Sequence, residues 1–405
     1  MECTKCNHIT NLESKINFSH FICPKCYSLF QLQEEQLLFK NTIPKTNSES
    51  FLNLGKSVII ENETFCIANF VIKCANGNEY WTEYELISLS GNKKYIIEEN
   101  GNWIISEQVE VKRDSDSLEI HHNGIDYKIF EKGFSTDVSG AGFFQYKFSK
   151  DVIGFRDYIN PPYILSVEIE DKKSVYYLGT HYSRKKIKKI FNIETLPSKD
   201  SIGIVEPFYI NLKNLVTIFC VASILVLCVH IFYYQTAKNQ LIYSNDIDLI
   251  SQIDKEIETD VFELEGPIAS LNIFISSNVD NSWLATDFSL VNVSTNESVY
   301  FSKDVELYSG YEGGESWAEG SNNEEFTICG VSAGKYKITF KSNKDIDDIK
   351  NSSMHLEVYW DKNNNWNFMI VLMTFVAITI FLYYLKNNYE SRRWNDSDYS
   401  TYDDN

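Results

Sequence analysis

With 405 residues, 43% of them hydrophobic, the chain is long enough for two or three domains beside any membrane segment. Its formal net charge of −19 argues against general nucleic-acid binding, because phosphate contacts need a basic surface. The charge is unevenly placed: Thr236 to Trp366 holds 9 Lys against 23 Asp and Glu, a net −14, and the part before it is nearly neutral.

Four thiols open the chain. Cys3-x-x-Cys6 and, sixteen residues on, Cys23-x-x-Cys26 have the spacing of a four-thiolate zinc site, two knuckles completing a tetrahedron. Residues 1–30 are therefore read as a zinc ribbon whose closed coordination makes the metal structural. Apolar residues are few here, so zinc would supply most of the folding energy. His8 and His20 are alternative ligands; redox chemistry is the rival reading, disfavoured by two pairs lacking a βαβ context. Asn7 and Tyr27 stand where such knuckles often carry Gly; Asn tolerates positive φ, Tyr less readily. A polar linker, 31–50, follows.

Residues 51–193 alternate apolar and polar positions in short runs separated by Asn-Gly and Gly-Asn turns, which predicts an antiparallel barrel or sandwich. Ser183 to Asn192 reads as a closing helix with a basic face. On the run EYWTEYELISL, Trp81 and Glu83 share one face and Tyr84 takes the other. That arrangement fits an aromatic–carboxylate site for a cation or amine. It also fits a core Trp beside a Glu that caps neighbouring backbone. His121-His122 falls at a hairpin tip, and Pro161-Pro162 belongs at a strand entry or edge.

Trp81-Thr-Glu83-Tyr84-Glu-Leu86, Gly101-Asn-Trp103, Asn160-Pro161-Pro162-Tyr-Ile-Leu165-Ser-Val-Glu168 and Tyr177-Leu-Gly179-Thr, in that order, resemble the bacterial domain-of-unknown-function 4178 family. Its members often begin with a zinc ribbon, and the resemblance covers roughly residues 1–192. The family has no established enzymatic activity and is associated with membrane-linked and polyamine-related gene clusters. The resemblance thus implies a regulatory or scaffolding role in a bacterium and supplies no catalytic residues.

A connector, 194–213, leads to LVTIFCVASILVLCVHIFYY, which holds no charge, Pro or Gly. At about 1.5 Å per residue it reaches roughly 30 Å, the hydrocarbon thickness of a bilayer, and predicts a first span over 214–234. Phe368 to Leu385, flanked by Trp366 and by Tyr383 and Tyr384, predicts a second over 366–385. Lys199, Lys213 and the cluster from Arg184 to Lys189 precede the first span, while Lys386, Arg392 and Arg393 follow the second. The intervening segment offers only Lys238 and Lys362 near the membrane. Both termini are thus expected in the cytoplasm of a bacterial inner-membrane protein, with 235–365 outside and 386–405 an acidic tail. The first thirty residues do not read as a cleavable leader, so the first span is expected to act as a signal anchor, leaving the N-terminal part in a reducing compartment. Outside, Cys329 has no cysteine to pair with.

Between the spans, 235–260 reads as a partly helical acidic spacer and 261–362 as a jelly-roll-like β-sandwich. Gly330 to Phe340 resembles the late strands of galactose-binding-like modules. Tyr308 to Ser321 reads as a loop in which Tyr311, Glu312, Glu315, Trp317 and Glu319 alternate with glycines. Stacking of a sugar or binding of Ca²⁺ would use such residues; an ordinary loop pinned by Trp317 is the simpler reading.

The class expected is mainly β and multidomain: zinc ribbon, cytoplasmic β-domain, and two transmembrane helices flanking an extracytoplasmic ligand-binding sandwich. The expected role is a non-enzymatic sensor, scaffold or accessory protein, touching membrane lipid and protein partners and taking a sugar, cation or amine. Rival readings are a membrane-associated hydrolase or polyamine-related enzyme, or a transporter subunit. The chain carries no P-loop, dinucleotide fingerprint or HExxH.

Overall fold

The computed structural model describes residues 1–46, 50–111, 117–170 and 173–402. The chain forms two compact units, Met1–Leu212 with Ile380–Asn405, and Lys213–Thr379.

In the first unit the strands are β1 (His20–Ile22), β2 (Ser28–Gln33), β3 (Gln36–Thr42), β4 (Ser57–Ile60), β5 (Glu63–Ala75), β6 (Glu79–Ser88), β7 (Lys93–Glu99), β8 (Asn102–Val109), β9 (Glu119–His122), β10 (Ile125–Phe144), β11 (Val152–Asn160), β12 (Tyr163–Glu170) and β13 (Lys173–His181). Hydrogen bonding runs β5-β6-β7-β8-β13-β12-β11-β10, and β10 then pairs back onto β5, Asp137–Gly142 against Asn69–Lys73. The result is a closed eight-stranded antiparallel barrel, which leaves its strands no free edge. Register shifts at Ile129/Glu131 and Asp137/Ser139 let the 20-residue β10 serve β9 and β11 first, then β5 and β1. The hairpin β1–β2 joins the barrel through His20–Ile22 paired on Gly142–Phe144.

The main apolar core of this unit lies on the outer face of one barrel wall. Phe70, Ile72, Tyr84, Leu86, Ile96, Trp103 and Ile105 are buried together with Ile187 and Phe191 of the helix α1 (Arg184–Phe191). Ser183 caps α1 by accepting from the Lys186 amide, and Asn192 ends it in the left-handed region, where Asn is tolerated. Ile187 and Phe191, four apart, form the buried stripe, which leaves the lysines facing out. Because alternate residues point to opposite faces, covering the outside of β5–β8 with apolar packing turns their polar residues inward.

The second unit opens with α2 (Leu212–Thr236), followed by β14 (Gln240–Asp248), α3 (Leu249–Gln252), β15 (Glu256–Glu258), β16 (Phe262–Leu264), β17 (Ala269–Ser277), β18 (Ser282–Asn292), β19 (Ser298–Glu312), β20 (Glu315–Ser321), β21 (Asn323–Val331), β22 (Gly334–Lys344) and β23 (Ser353–Trp360), and runs into α4 (Trp366–Trp394), which belongs to the first unit from Ile380 on. One sheet is ordered β14-β23-β17-β21; the other is β15-β22-β18-β19-β20, with β16 also on β22. This alternation of strands between two antiparallel sheets is the wiring of a jelly roll, with β20 added at one edge. Leu271, Ile273, Leu284, Phe288, Ile338, Phe340, Leu356 and Val358 fill the core.

Several segments differ from the sequence reading. Residues 36–42 of the expected linker are strand β3, folded back on β2 with Leu37 opposite Leu32 by a turn at Glu34 and Glu35, both at positive φ. Residues 240–248 are not spacer but strand β14, aligned on β23 with Ile247 opposite Met354, both buried; their charges occupy the exposed positions. Helix α4 continues nine residues beyond Leu385, to Trp394, because nothing after the apolar stretch interrupts it. The apolar windows of α2 and α4 bury none of their residues within the protein. By length and composition both helices are able to cross a bilayer.

Candidate functional site

The N-terminal knuckles share one backbone pattern. In the first, the Asn7 amide donates to Cys3 O (2.8 Å) and the Cys3 amide to His8 O (2.9 Å). In the second, Tyr27 donates to Cys23 O (2.9 Å) and Cys23 to Ser28 O (3.1 Å). Asn7 and Tyr27 accordingly both take positive φ, 54° and 55°. The buried Tyr27 ring packs in the main core, which offsets its conformational cost. Cys3, Cys6, Cys23 and Cys26 place their sulfurs within 4.8 Å of one another, with Cys3–Cys26 and Cys6–Cys23 each at 3.6 Å. A tetrahedron with Zn–S bonds of about 2.3 Å requires S–S edges of about 3.8 Å, so the donor set fits zinc. His8 and His20 are outside this group; His20 Nδ1 instead lies 2.9 Å from Ser19 Oγ.

The larger site is the barrel interior, a cavity of about 960 Å³. Its wall shows the strand alternation directly: Glu79, Trp81, Glu83 and Glu85 from β6 face it, while Tyr84 is buried on the opposite side. Tyr84 Oη accepts from the Phe51 amide at 3.1 Å and its ring stacks toward Trp103. Trp81 and Glu83 are therefore brought together in the cavity, and Tyr84 is separated from them. Trp81 Nε1 donates to Glu83 Oε1 at 2.7 Å, and its ring meets Phe155 edge-on at 6.1 Å. Tyr95, Tyr146 and Tyr177 add further aromatic surface.

Eleven carboxylates line this space against three lysines, one arginine and one histidine. Some are neutralised. Lys73, almost fully buried, reaches Glu168 at 2.7 Å and Glu83 at 3.0 Å; Lys93 reaches Glu85 at 2.6 Å. Burial alone would lower the Lys73 pKa, yet Glu83 and Glu168 hold it well above the ordinary lysine value. Others have no such partner. Among the described residues Glu99, Glu131, Asp137 and Asp157 make no ion pair, and Asp137 Oδ1 is a buried acceptor without a donor. Burial first, then the carboxylates of Asp157 and Glu79, pushes Glu99 and Glu131 each up to about 7. Burial likewise lifts Asp137 and Asp157 to about 6, against the pull of Lys73 on both and of the Ser166 hydrogen bond on Asp157. Burial, with like charge behind it, thus keeps Glu99 and Glu131 partly protonated near neutral pH.

Sequence reasoning found Trp81 and Glu83 but missed Lys73, Glu99, Glu131, Asp137, Asp157 and Glu168. An alternating charged face is the ordinary signature of a solvated strand, and only barrel closure turns it into a cavity lining.

The segment from Tyr308 to Ser321 is not a loop. The ends of β19 and β20 form a hairpin about Gly313-Gly314, both at positive φ, with Glu312 opposite Glu315 and Tyr308 opposite Glu319. The Trp317 ring lies over Gly310, where a Cβ would come within 2.8 Å of it, so this aromatic is seated on its own hairpin. Tyr311 is 76% exposed. Among the described residues the four cysteines are the one set of three or more metal-ligating groups that converge; Glu312, Glu315 and Glu319 do not.

No family model matches the chain, and no curated protein matches it. Among solved structures, infectious bursal disease virus Gt strain is similar at 10% identity and TM-score 0.16, over 82% of this chain and 62% of the viral one. A Bombyx mori GH32 beta-fructofuranosidase mutant aligns at 9% identity and TM-score 0.17, over 83% of this chain and 72% of its own. The chain spans just under two thirds of the viral chain, and alignments this loose carry no argument about function.

Proposed function

We propose that this is a non-enzymatic, membrane-anchored sensor or scaffold of a bacterial inner membrane, and that its ligand site is the barrel cavity. In this reading α2 and α4 span the bilayer, the zinc ribbon and barrel are cytoplasmic, and the sandwich lies outside. The ligand is an organic ammonium cation. The observation that carries this is the excess of unpaired carboxylates in a partly open, aromatic-walled space. Ammonium groups would satisfy those carboxylates and lie against Trp81 and the tyrosines. A volume of about 960 Å³ suits a small organic molecule, and carboxylates spread along a wall without converging suit distributed positive charge better than a metal ion. Zinc held by Cys3, Cys6, Cys23 and Cys26 would fix the ribbon against β10 and take no part in ligand binding. The rival enzyme reading draws on Glu99 and Glu131, whose pKa near 7 suits acid–base work.

Native mass spectrometry of full-length protein extracted in mild detergent tests the proposal. We expect 1,4-diaminobutane to give a one-to-one adduct that is lost in Trp81→Ala with Glu83→Gln. Equal adducts from both proteins would remove the cavity as the site, and conversion of the diamine would favour the enzyme.

A further inference from the structure

The rim of the cavity is built by the two segments that continue into the long helices. Gly203, Ile204 and Val205 line it a few residues before α2, and Arg393 and Asp396 line it at and just after the end of α4. These segments are fastened to each other and to the barrel. The buried Arg393 guanidinium donates to Ile204 O at 2.8 Å and to Glu206 O, and pairs with Glu390 at 3.0 Å. Trp394 packs on Phe130 of β10 with ring centroids 5.2 Å apart, and Ser397 Oγ donates to the Phe130 carbonyl. This docking carries Asp396 to the edge of a cavity that already holds Glu99, Glu131 and Asp157. Like charges are thereby brought together by apolar and backbone contacts, against their repulsion.

We infer that Asp396 is a further ligand-binding residue, completing the ammonium site from the end of α4, so that cavity occupancy and docking of that helix end strengthen each other. The inference rests on reading the cavity as a cation site. A cation at the rim removes the repulsion that opposes docking, and a docked Asp396 adds a carboxylate to the ligand; linkage makes the two effects equal. Undocking would release Trp394 and Arg393 together, because the two are adjacent in the chain. Ligand state is in this way conveyed to a helix long enough to cross the membrane.

The test uses the full chain in mild detergent, with 1,4-diaminobutane as probe and 1,4-butanediol as neutral control. Calorimetry measures binding; hydrogen exchange of residues 394–402 measures docking. We expect the diamine, and not the diol, to slow exchange there. Asp396→Asn should weaken diamine binding by about fivefold, the scale of a partly exposed ion pair, and abolish the slowing. Trp394→Ala, which leaves every carboxylate in place, should speed exchange and weaken binding as well. Diamine binding with unchanged tail exchange, or equal affinity in Asp396→Asn, overturns the inference while the cavity site stands. Absence of diamine binding overturns the site, and the inference with it.

Discussion

Replacing Lys73 by Met asks whether the barrel interior is governed by charge. The substitution keeps the length of the side chain and removes the cation that serves Glu83 and Glu168. Breaking a fully buried pair by removing one partner costs about 3–5 kcal/mol. Here Lys73 is 10% exposed at the side chain, but Glu83 and Glu168 keep 24% and 30%, so water in the cavity relieves part of the penalty. We expect a loss of about 2–3 kcal/mol at pH 8, which for a unit of this size lowers its melting temperature by about 4–12 °C. The loss should shrink at pH 5.5, because Asp137 and Asp157 titrate near 6 and their protonation reduces the charge left without a partner. Adding 1,4-diaminobutane at pH 8 should restore part of the stability. Thermal melting of the full chain, with hydrogen exchange of β5 and β6 peptides to localise the effect, gives the answer. An equal loss at both pH values would mean that Lys73 acts through packing, and the electrostatic account of the cavity would fail.

The wild-type protein carries the same logic with the sign worked out. Glu99, Glu131, Asp137 and Asp157 have pKa values raised by folding, so the folded state binds more protons than the unfolded state between the ordinary carboxylate range and about pH 7. Stability of the first unit should therefore rise as pH falls from 8 toward 5.5, and Glu99→Gln with Glu131→Gln should flatten that rise. Metal analysis should find one zinc per chain, and Cys23→Ser should lose it and open residues 1–30 to protease; iron, or no metal in freshly reduced protein, would reject the site. In intact cells an impermeant thiol reagent should label a cysteine introduced at Asn245 and spare one at Ser400, the opposite result inverting the orientation. Millimolar Ca²⁺ should leave the melting of the sandwich where Mg²⁺ does, since Glu312, Glu315 and Glu319 do not converge; a calcium-specific gain abolished by Glu315→Gln would restore the calcium reading.

Local signals were readable from the chain because they depend on near neighbours. The Cys-x-x-Cys spacing, the uncharged stretches and the alternation of Trp81, Glu83 and Tyr84 each fix a local geometry. The Gly313-Gly314 turn was such a signal too, and the aromatics around it masked a plain hairpin. What lay beyond reach was long-range. Nothing near Asp137 announces that it closes against Lys73, and alternation cannot tell which face of a closed sheet looks inward. Arg393 illustrates the same limit: read as a flanking charge that orients a span, it is buried and holds the end of α4 to residues 203–206. Glu99 and Glu131 are unremarkable in sequence and become unusual only where barrel closure buries them, with Asp157 and Glu79 nearby.

The claim on which the rest depends is that the cavity binds an organic cation through unpaired carboxylates. Isothermal titration calorimetry of the full chain with 1,4-diaminobutane at pH 8 and pH 5.5, beside 1,4-butanediol, measures it most directly. We expect saturable one-site binding of the diamine at pH 8, weaker binding at pH 5.5 where protons occupy the same carboxylates, and no binding of the diol. Equal heats from diamine and diol, or an affinity indifferent to pH, would contradict the account.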